Sequence, residues 1–165
     1  MNQSGFIRLI IFLVVLVLAY FFVSTKTSES LPGDLFYPIK EVKETLDISL
    51  YQLDSEGKAL KYLEYTEIRF SEVLNLIEQK RSDDDIKYGL DKLTVTQEKA
   101  WRNLDRSRSY RGNITSKAEE FEEILNDQYD VLFDLRYQVR PTLLLSIENA
   151  MQKTKENLEN LRRIK

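Results

Sequence analysis

Residues 59–77 read ALKYLEYTEIRFSEVLNLI, where Ala59, Leu63, Thr66, Phe70, Val73 and Ile77 recur at alternating steps of four and three. That spacing lines one face of a helix with 3.6 residues per turn. The period-two alternation that marks a strand is missing. The same rhythm extends outward in both directions. Towards the N-terminus, Ile39, Val42, Leu46 and Leu53 mark one face of a first helix, with Ser49 a polar member of the row. Towards the C-terminus come Ile86, Leu90, Leu93, Gln97, Ala100 and Leu104, then Ala118, Phe121, Leu125, Gln128, Leu132, Leu135 and Val139. Leu144, Ile147, Met151, Thr154, Leu158 and Leu161 form the last stripe.

The boundaries between these rows carry recognisable chemistry. Gly57 or the Asp54-Ser55 pair separates or bends the first two segments. Ser82 ahead of Asp83, Asp84 and Asp85 predicts a helix start, a capping hydroxyl followed by acids that suit the positive end of the helix dipole. Gly112 ends that helix, and Thr115 or Ser116 caps the next, Ser116 and Glu119 having capping-box spacing. Pro141 kinks or breaks the chain before the last stripe. The expected fold class is all-α, with an N-terminal single transmembrane helix followed by an antiparallel bundle of about four long helices. Five glycines and three prolines in 165 residues leave little punctuation for anything else.

The chain holds no histidine and no cysteine. Disulfides are therefore excluded, as are the usual zinc and haem ligands, the thiol nucleophile and the commonest base near neutral pH. No cofactor is expected and no catalytic motif stands out. A net charge of −3 gives no general attraction to nucleic acid, which is disfavoured as a partner.

Residues 6–23, FIRLIIFLVVLVLAYFFV, are apolar apart from Arg8. As a helix they would measure about 27 Å, close to the hydrocarbon thickness of a bilayer. Arg8 lies one turn in, where it can snorkel to the interface, and Tyr20, Phe21 and Phe22 suit an aromatic belt. A cleaved signal peptide is the rival reading, but the residues around Val23 to Thr25 make a weak cleavage site. The organisation expected is a cytoplasmic stub at 1–5, a transmembrane anchor at 6–23, a polar linker at 24–30 and an extracytoplasmic helical domain at 31–165. Arg8 and the N-terminal amine set that orientation in the cell membrane by the positive-inside rule.

The stretch 31–40, LPGDLFYPIK, is the most individual in the chain. Pro32-Gly33 is a turn dipeptide. Pro38 suits the first turn of a helix, and Tyr37 before it is pushed towards extended geometry, outside the helix. Leu35, Phe36 and Tyr37 are expected to tuck against the domain. With Pro32, Gly33, Asp34, Tyr37, Pro38 and Lys40 in this order, the stretch resembles the entry to a prokaryotic family, domain of unknown function 5667. Arg69 and Glu72 look like the arginine and glutamate that the family favours on a long amphipathic helix. The resemblance implies a helical domain behind a single membrane span and brings no assigned activity.

The candidate binding surface is the basic run 101–112, WRNLDRSRSYRG, and within it Trp101, Arg102, Arg106, Arg108 and Tyr110. Arginines interleaved with aromatic rings suit anionic headgroups or anionic envelope polymers. The competing reading is structural: cations near a helix C-terminus, pairing with the seven acids between Glu119 and Asp134 if those helices pack together. Asp83-Asp84-Asp85 lacks the spacing of a calcium loop and reads as capping. Asn113-Ile114-Thr115 fits a glycosylation pattern. The expected function is a non-catalytic, membrane-anchored interaction or scaffolding module of the cell envelope. Its partners would be the membrane together with a protein, an anionic polymer or a second copy of itself. The alternative is an accessory or sensor subunit docking onto another membrane protein.

Overall fold

The computed structural model describes residue 25 and residues 27–51, 54–111 and 115–164, with the backbone alone at 108–111. Among these residues five helices follow one another: α1 Tyr37–Ser49, α2 Ser55–Glu78, α3 Asp83–Arg111, α4 Thr115–Leu135 and α5 Pro141–Ile164. No strand occurs among them, and the fold is all-α. The chain divides into two units, Met1–Glu44 and Thr45–Lys165, the boundary falling inside α1. The apolar run 6–23 lies outside the described residues, as does Leu53. Among the described residues no helix is long and apolar enough to cross a membrane.

In the first unit the residues 31–34 form a tight turn closed twice. The Asp34 N–H donates to the Leu31 carbonyl at 2.9 Å, and the Leu31 N–H donates to Asp34 Oδ2 at 2.8 Å. Gly33 has φ 90°, the left-handed value demanded at the third position of a type II turn, with Pro32 pre-set at the second. The Asp34 carbonyl then accepts from the Tyr37 N–H at 3.1 Å and leads the chain into α1. Tyr37 is helical rather than extended, a one-residue shift of the boundary. The polar linker is folded as well: residues 27–29 are helical, and Thr27 and Ser30 are buried. Lys40 explains why. Its Nζ donates to the carbonyls of Ser28 and Ser30 at 3.1 and 3.2 Å, satisfying the ammonium while holding the preceding segment to the helix.

In the second unit α2 and α3 form one antiparallel hairpin and α4 and α5 another. The hairpins meet with α3 beside α5, and these two run parallel: Asp91 and Lys153 pair at 3.8 Å, and further along Trp101 meets Asn157. Antiparallel packing is thus a property of each hairpin, because a short turn reverses the chain, while the pairing of hairpins sets the other neighbours. Both hairpin turns lie at one end and are tied together. Arg140 donates to the Arg81 carbonyl at 2.7 Å and pairs with Asp83 at 2.6 Å, and the Thr142 hydroxyl donates to Asp83.

The helix ends follow the local chemistry. Asp54 caps α2 by accepting from the Glu56 N–H at 3.1 Å. A side chain at Gly57 would bring its Cβ within 2.5 Å of the Tyr51 ring, so this position admits only glycine without a shift. Ser82 Oγ accepts from the Asp85 N–H at 3.1 Å, the expected cap of α3. Between the two, Arg81 N–H reaches back to the Leu76 carbonyl at 3.0 Å while Lys80 sits at φ 53°. This is a Schellman ending with a lysine where glycine is usual. Pro141 takes the first position of α5, so the chain breaks there instead of kinking.

The α3 row of Ile86, Leu90, Leu93, Gln97, Ala100 and Leu104 is buried throughout, and the α4 row is buried from Ala118 to Leu135. Two rows are corrected. In α2, Phe70 and Ile77 are half-buried while Leu76, Arg69 and Glu72 are inside. Arg69 Nη1 donates to both oxygens of Glu72 at 2.8 and 2.7 Å, and that pairing is what permits a charged step in a buried face. In α5 the row starts at Leu143, and Leu144 is exposed.

The larger correction concerns α1. Ile39, Val42 and Leu46 are exposed, whereas Tyr37 and Lys40 are buried and Glu44, Asp47 and Ile48 are half-buried. Directional polar bonds hold the other side of the helix: within the first unit Lys40 reaches the two carbonyls, and within the second Asp47 accepts from the Tyr65 hydroxyl at 2.9 Å beside Lys61 at 3.7 Å. Leu35 is likewise exposed; of the expected apolar cluster only Tyr37 is buried.

Candidate functional site

Trp101 stands on α3, partly buried against a cluster that includes Ala100, Leu104, Leu158 and Leu161. Its indole N–H donates to Asn157 Oδ1 on α5 at 3.0 Å. Asn157 Nδ2 donates in turn to Gln97 Oε1 at 3.2 Å, and that oxygen also accepts from the Thr154 hydroxyl at 3.1 Å. Gln97 Nε2 donates to Gln128 Oε1 at 2.9 Å, and Gln128 Nε2 reaches the Thr66 carbonyl at 3.5 Å. One chain of hydrogen bonds therefore runs from the surface through all four bundle helices. Gln97, Gln128 and Thr154 are almost wholly buried, so each amide exchanges water for a specific partner and locks the register of its helix.

With its N–H committed inward, Trp101 offers its ring to the surface. The Arg102 guanidinium lies 5.6 Å from the ring centroid, within cation–π range, and also pairs with Glu98 one turn back. Beside them a shallow groove follows the seam between α3 and α5, in two depressions of about 230 and 180 Å³ that share Thr94 and Lys153. Asn157 and Asn160 line the larger half with Trp101 and Arg102, and Lys153 and Glu156 border it on α5.

Of the predicted binding residues, the structure brings Trp101 and Arg102 to this groove and leaves Arg106 exposed one turn further along. The side chains of Arg108 and Tyr110 lie outside the described residues, as does the Asn113-Ile114 pair. The pairing of Arg102 and Arg106 with the acids after Glu119 does not form. The α3 helix packs on α2 and α5; of the acids of α4, Glu122 pairs with Arg162 on α5 at 2.7 Å, Glu120 pairs with Lys117 on its own helix, and the others are exposed. Arg102 and Lys153 are each matched by an acid, Glu98 and Asp91, which makes the groove nearly neutral. It suits amide- and hydroxyl-bearing groups stacked on the ring, with Arg106 as the exposed cation.

Among the described residues no three acids converge in a way that could hold a metal ion. Asp83 is engaged at the joined turns by Arg140 and Thr142. Burial pushes the Tyr62 phenol above its ordinary value, and the Lys99 ammonium lies 5.6 Å from its ring. The polar layer is the element that the sequence reading did not identify. Its signal was present in Gln97, Gln128 and Thr154, which each interrupt an apolar row near mid-helix; Thr66 gives only its backbone carbonyl, its hydroxyl bonding to the Tyr62 carbonyl of its own helix.

No curated protein and no solved structure matches the chain. The profile of the domain of unknown function DUF5667 matches residues 29–165, beginning just ahead of the Leu31–Asp34 turn and covering the whole helical region. On that match, the chain belongs to the DUF5667 family.

Proposed function

We propose that this protein is a non-catalytic, membrane-anchored interaction module of the cell envelope. The apolar run 6–23 would span the membrane with the N-terminus inside, and the helical region would stand outside it. The observation that carries the binding part of this reading is the Trp101 ring, fixed from behind by Asn157 and flanked by Arg102 and the exposed Arg106. A ring held rigid before binding loses little entropy when a ligand stacks on it. Arg106, with Arg108 in the same run, supplies the attraction to an anionic polymer or an acidic protein partner.

Retention of the detergent-solubilised full chain on an immobilised anionic phosphodiester polymer tests this. Replacing Arg102, Arg106 and Arg108 together by alanine should lower retention at least tenfold, and Trp101→Ala should lower it further. Unchanged retention in both variants would remove the binding surface. Recovery in the membrane pellet after alkaline carbonate extraction tests the anchor separately.

A second reading, an accessory subunit docking onto another membrane protein, draws on a different patch. Near the joined turns, Arg136 lies 4.4 Å from the Phe133 ring and 4.8 Å from that of Tyr137, with Leu144 and Leu145 exposed nearby in sequence. Aromatic rings clasping an arginine are typical anchors of protein interfaces.

A further inference from the structure

The first helix presents its apolar side outward. Val42, Leu46 and Leu50 are 60%, 62% and 81% exposed, and with Leu35 and Ile39 they form one stripe at steps of four, three, four and four. An isolated exposed leucine needs no explanation, but three aligned along the helix, with Leu35 and Leu50 in the turns just before and after it, leave a continuous apolar face. The orientation is enforced, since Lys40 and Asp47 on the other side are held by hydrogen bonds. Within the second unit, turning Leu46 inward would break the bond between Asp47 and Tyr65.

We propose that this stripe rests on the lipid surface of the membrane, with α1 lying in the interfacial plane. This inference rests on the reading of residues 6–23 as a membrane anchor. The run ends at Val23, and residues 24–36 separate it from α1. Fully extended, that segment would reach about 45 Å. Of that segment, residues 27–36 are folded: 27–29 are helical and 31–34 form the tight turn, with Lys40 drawing the carbonyls of Ser28 and Ser30 to the helix. The path from residue 27 to the start of α1 is therefore compact, and in sequence only three residues, 24–26, lie between it and the apolar run. Residues 41, 44 and 47, all acidic, lie off the stripe, and Lys43 at its border is exposed, long enough to lay its stem on the apolar surface and raise its charge to the headgroups. An interfacial helix is expected to sink its apolar face about 5–10 Å into the headgroup–acyl boundary.

The absence of cysteine in the chain makes the test direct. Single variants Val42→Cys, Leu46→Cys, Thr45→Cys and Glu64→Cys of the full chain, each carrying an environment-sensitive fluorophore, are reconstituted into phosphatidylcholine vesicles at low protein density. Brominated lipid should quench labels at 42 and 46 at least twofold more strongly than those at 45 and 64. Equal quenching at all four sites in a chain that floats with the vesicles overturns the inference and leaves the anchor intact. A contrast between sites that appears only as protein density rises also overturns it, and assigns the stripe to a second copy. A chain that does not float with the vesicles at all removes the anchor reading itself.

Discussion

Two amphipathic helices of this chain, α1 and α3, have nearly the same kind of sequence and opposite orientations. In α3 the apolar row faces inward without exception from Ile86 to Leu104. In α1 an equally regular row faces outward, and the buried positions are Tyr37 and Lys40. The difference lies in what the polar side of each helix can do. The polar face of α3 carries flexible charged side chains that pair along their own helix, as Arg102 does with Glu98. The polar face of α1 carries groups with fixed partners, the carbonyls of Ser28 and Ser30 and the Tyr65 hydroxyl. Periodicity identifies an apolar face; the partners available decide which way it turns.

Truncating one side chain in each region should break that symmetry most visibly. Phe121, fully buried in the bundle, should cost about 3–5 kcal/mol as Phe121→Ala. Leu46→Ala in the exposed row should change stability by no more than about 0.5 kcal/mol. Urea unfolding of the full chain in mild detergent, followed by circular dichroism, measures both. Similar costs at the two sites would mean that α1 is packed like α3.

The polar layer gives an intermediate effect. Gln97→Ala removes the partner of Gln128, Thr154 and Asn157 at once, and a loss of about 2–3 kcal/mol is expected because buried donors and acceptors are left unmet. The same variant should free the Trp101 indole from its aligned partner, seen as a red-shifted and less anisotropic tryptophan emission. Since the chain holds a single tryptophan, that signal belongs to this site. The smallest effect is a gain. Lys80→Gly at the left-handed end of α2 should raise stability by about 0.5–1 kcal/mol in the same unfolding experiment, glycine adopting that conformation without steric cost.

Much of the fold was legible because helix faces are local. The α3 row, the α4 row as far as Leu135, the Ser82 cap and the tight turn at Leu31–Asp34 follow from neighbours within a few residues; Val139, the last member expected in the α4 row, lies in the turn beyond the helix, and of the two outcomes expected at Pro141 the chain breaks. The site was legible only in part. Trp101 and Arg102 share a groove as their positions in one basic run suggested, but the partner of that groove is α5 rather than the acidic helix α4. Nothing in the local sequence states which helix lies beside which. The choice depends on how two hairpins dock, and the joined turns at Arg140 and Asp83 with the layer at Gln97 settle it.

By itself the sequence determined the helical class, about how many long helices there are, the Ser82 cap and the family turn ahead of α1, because these depend on backbone preferences and a repeat of 3.6 residues. Only the tertiary structure decided that α3 and α5 run side by side, that four mid-helix polar residues meet in one layer, and that the apolar face of α1 points outward. Those outcomes rest on hydrogen bonds between residues far apart in the chain, such as Gln97 with Gln128 and Asp47 with Tyr65, whose partners exist only once the helices have been brought together.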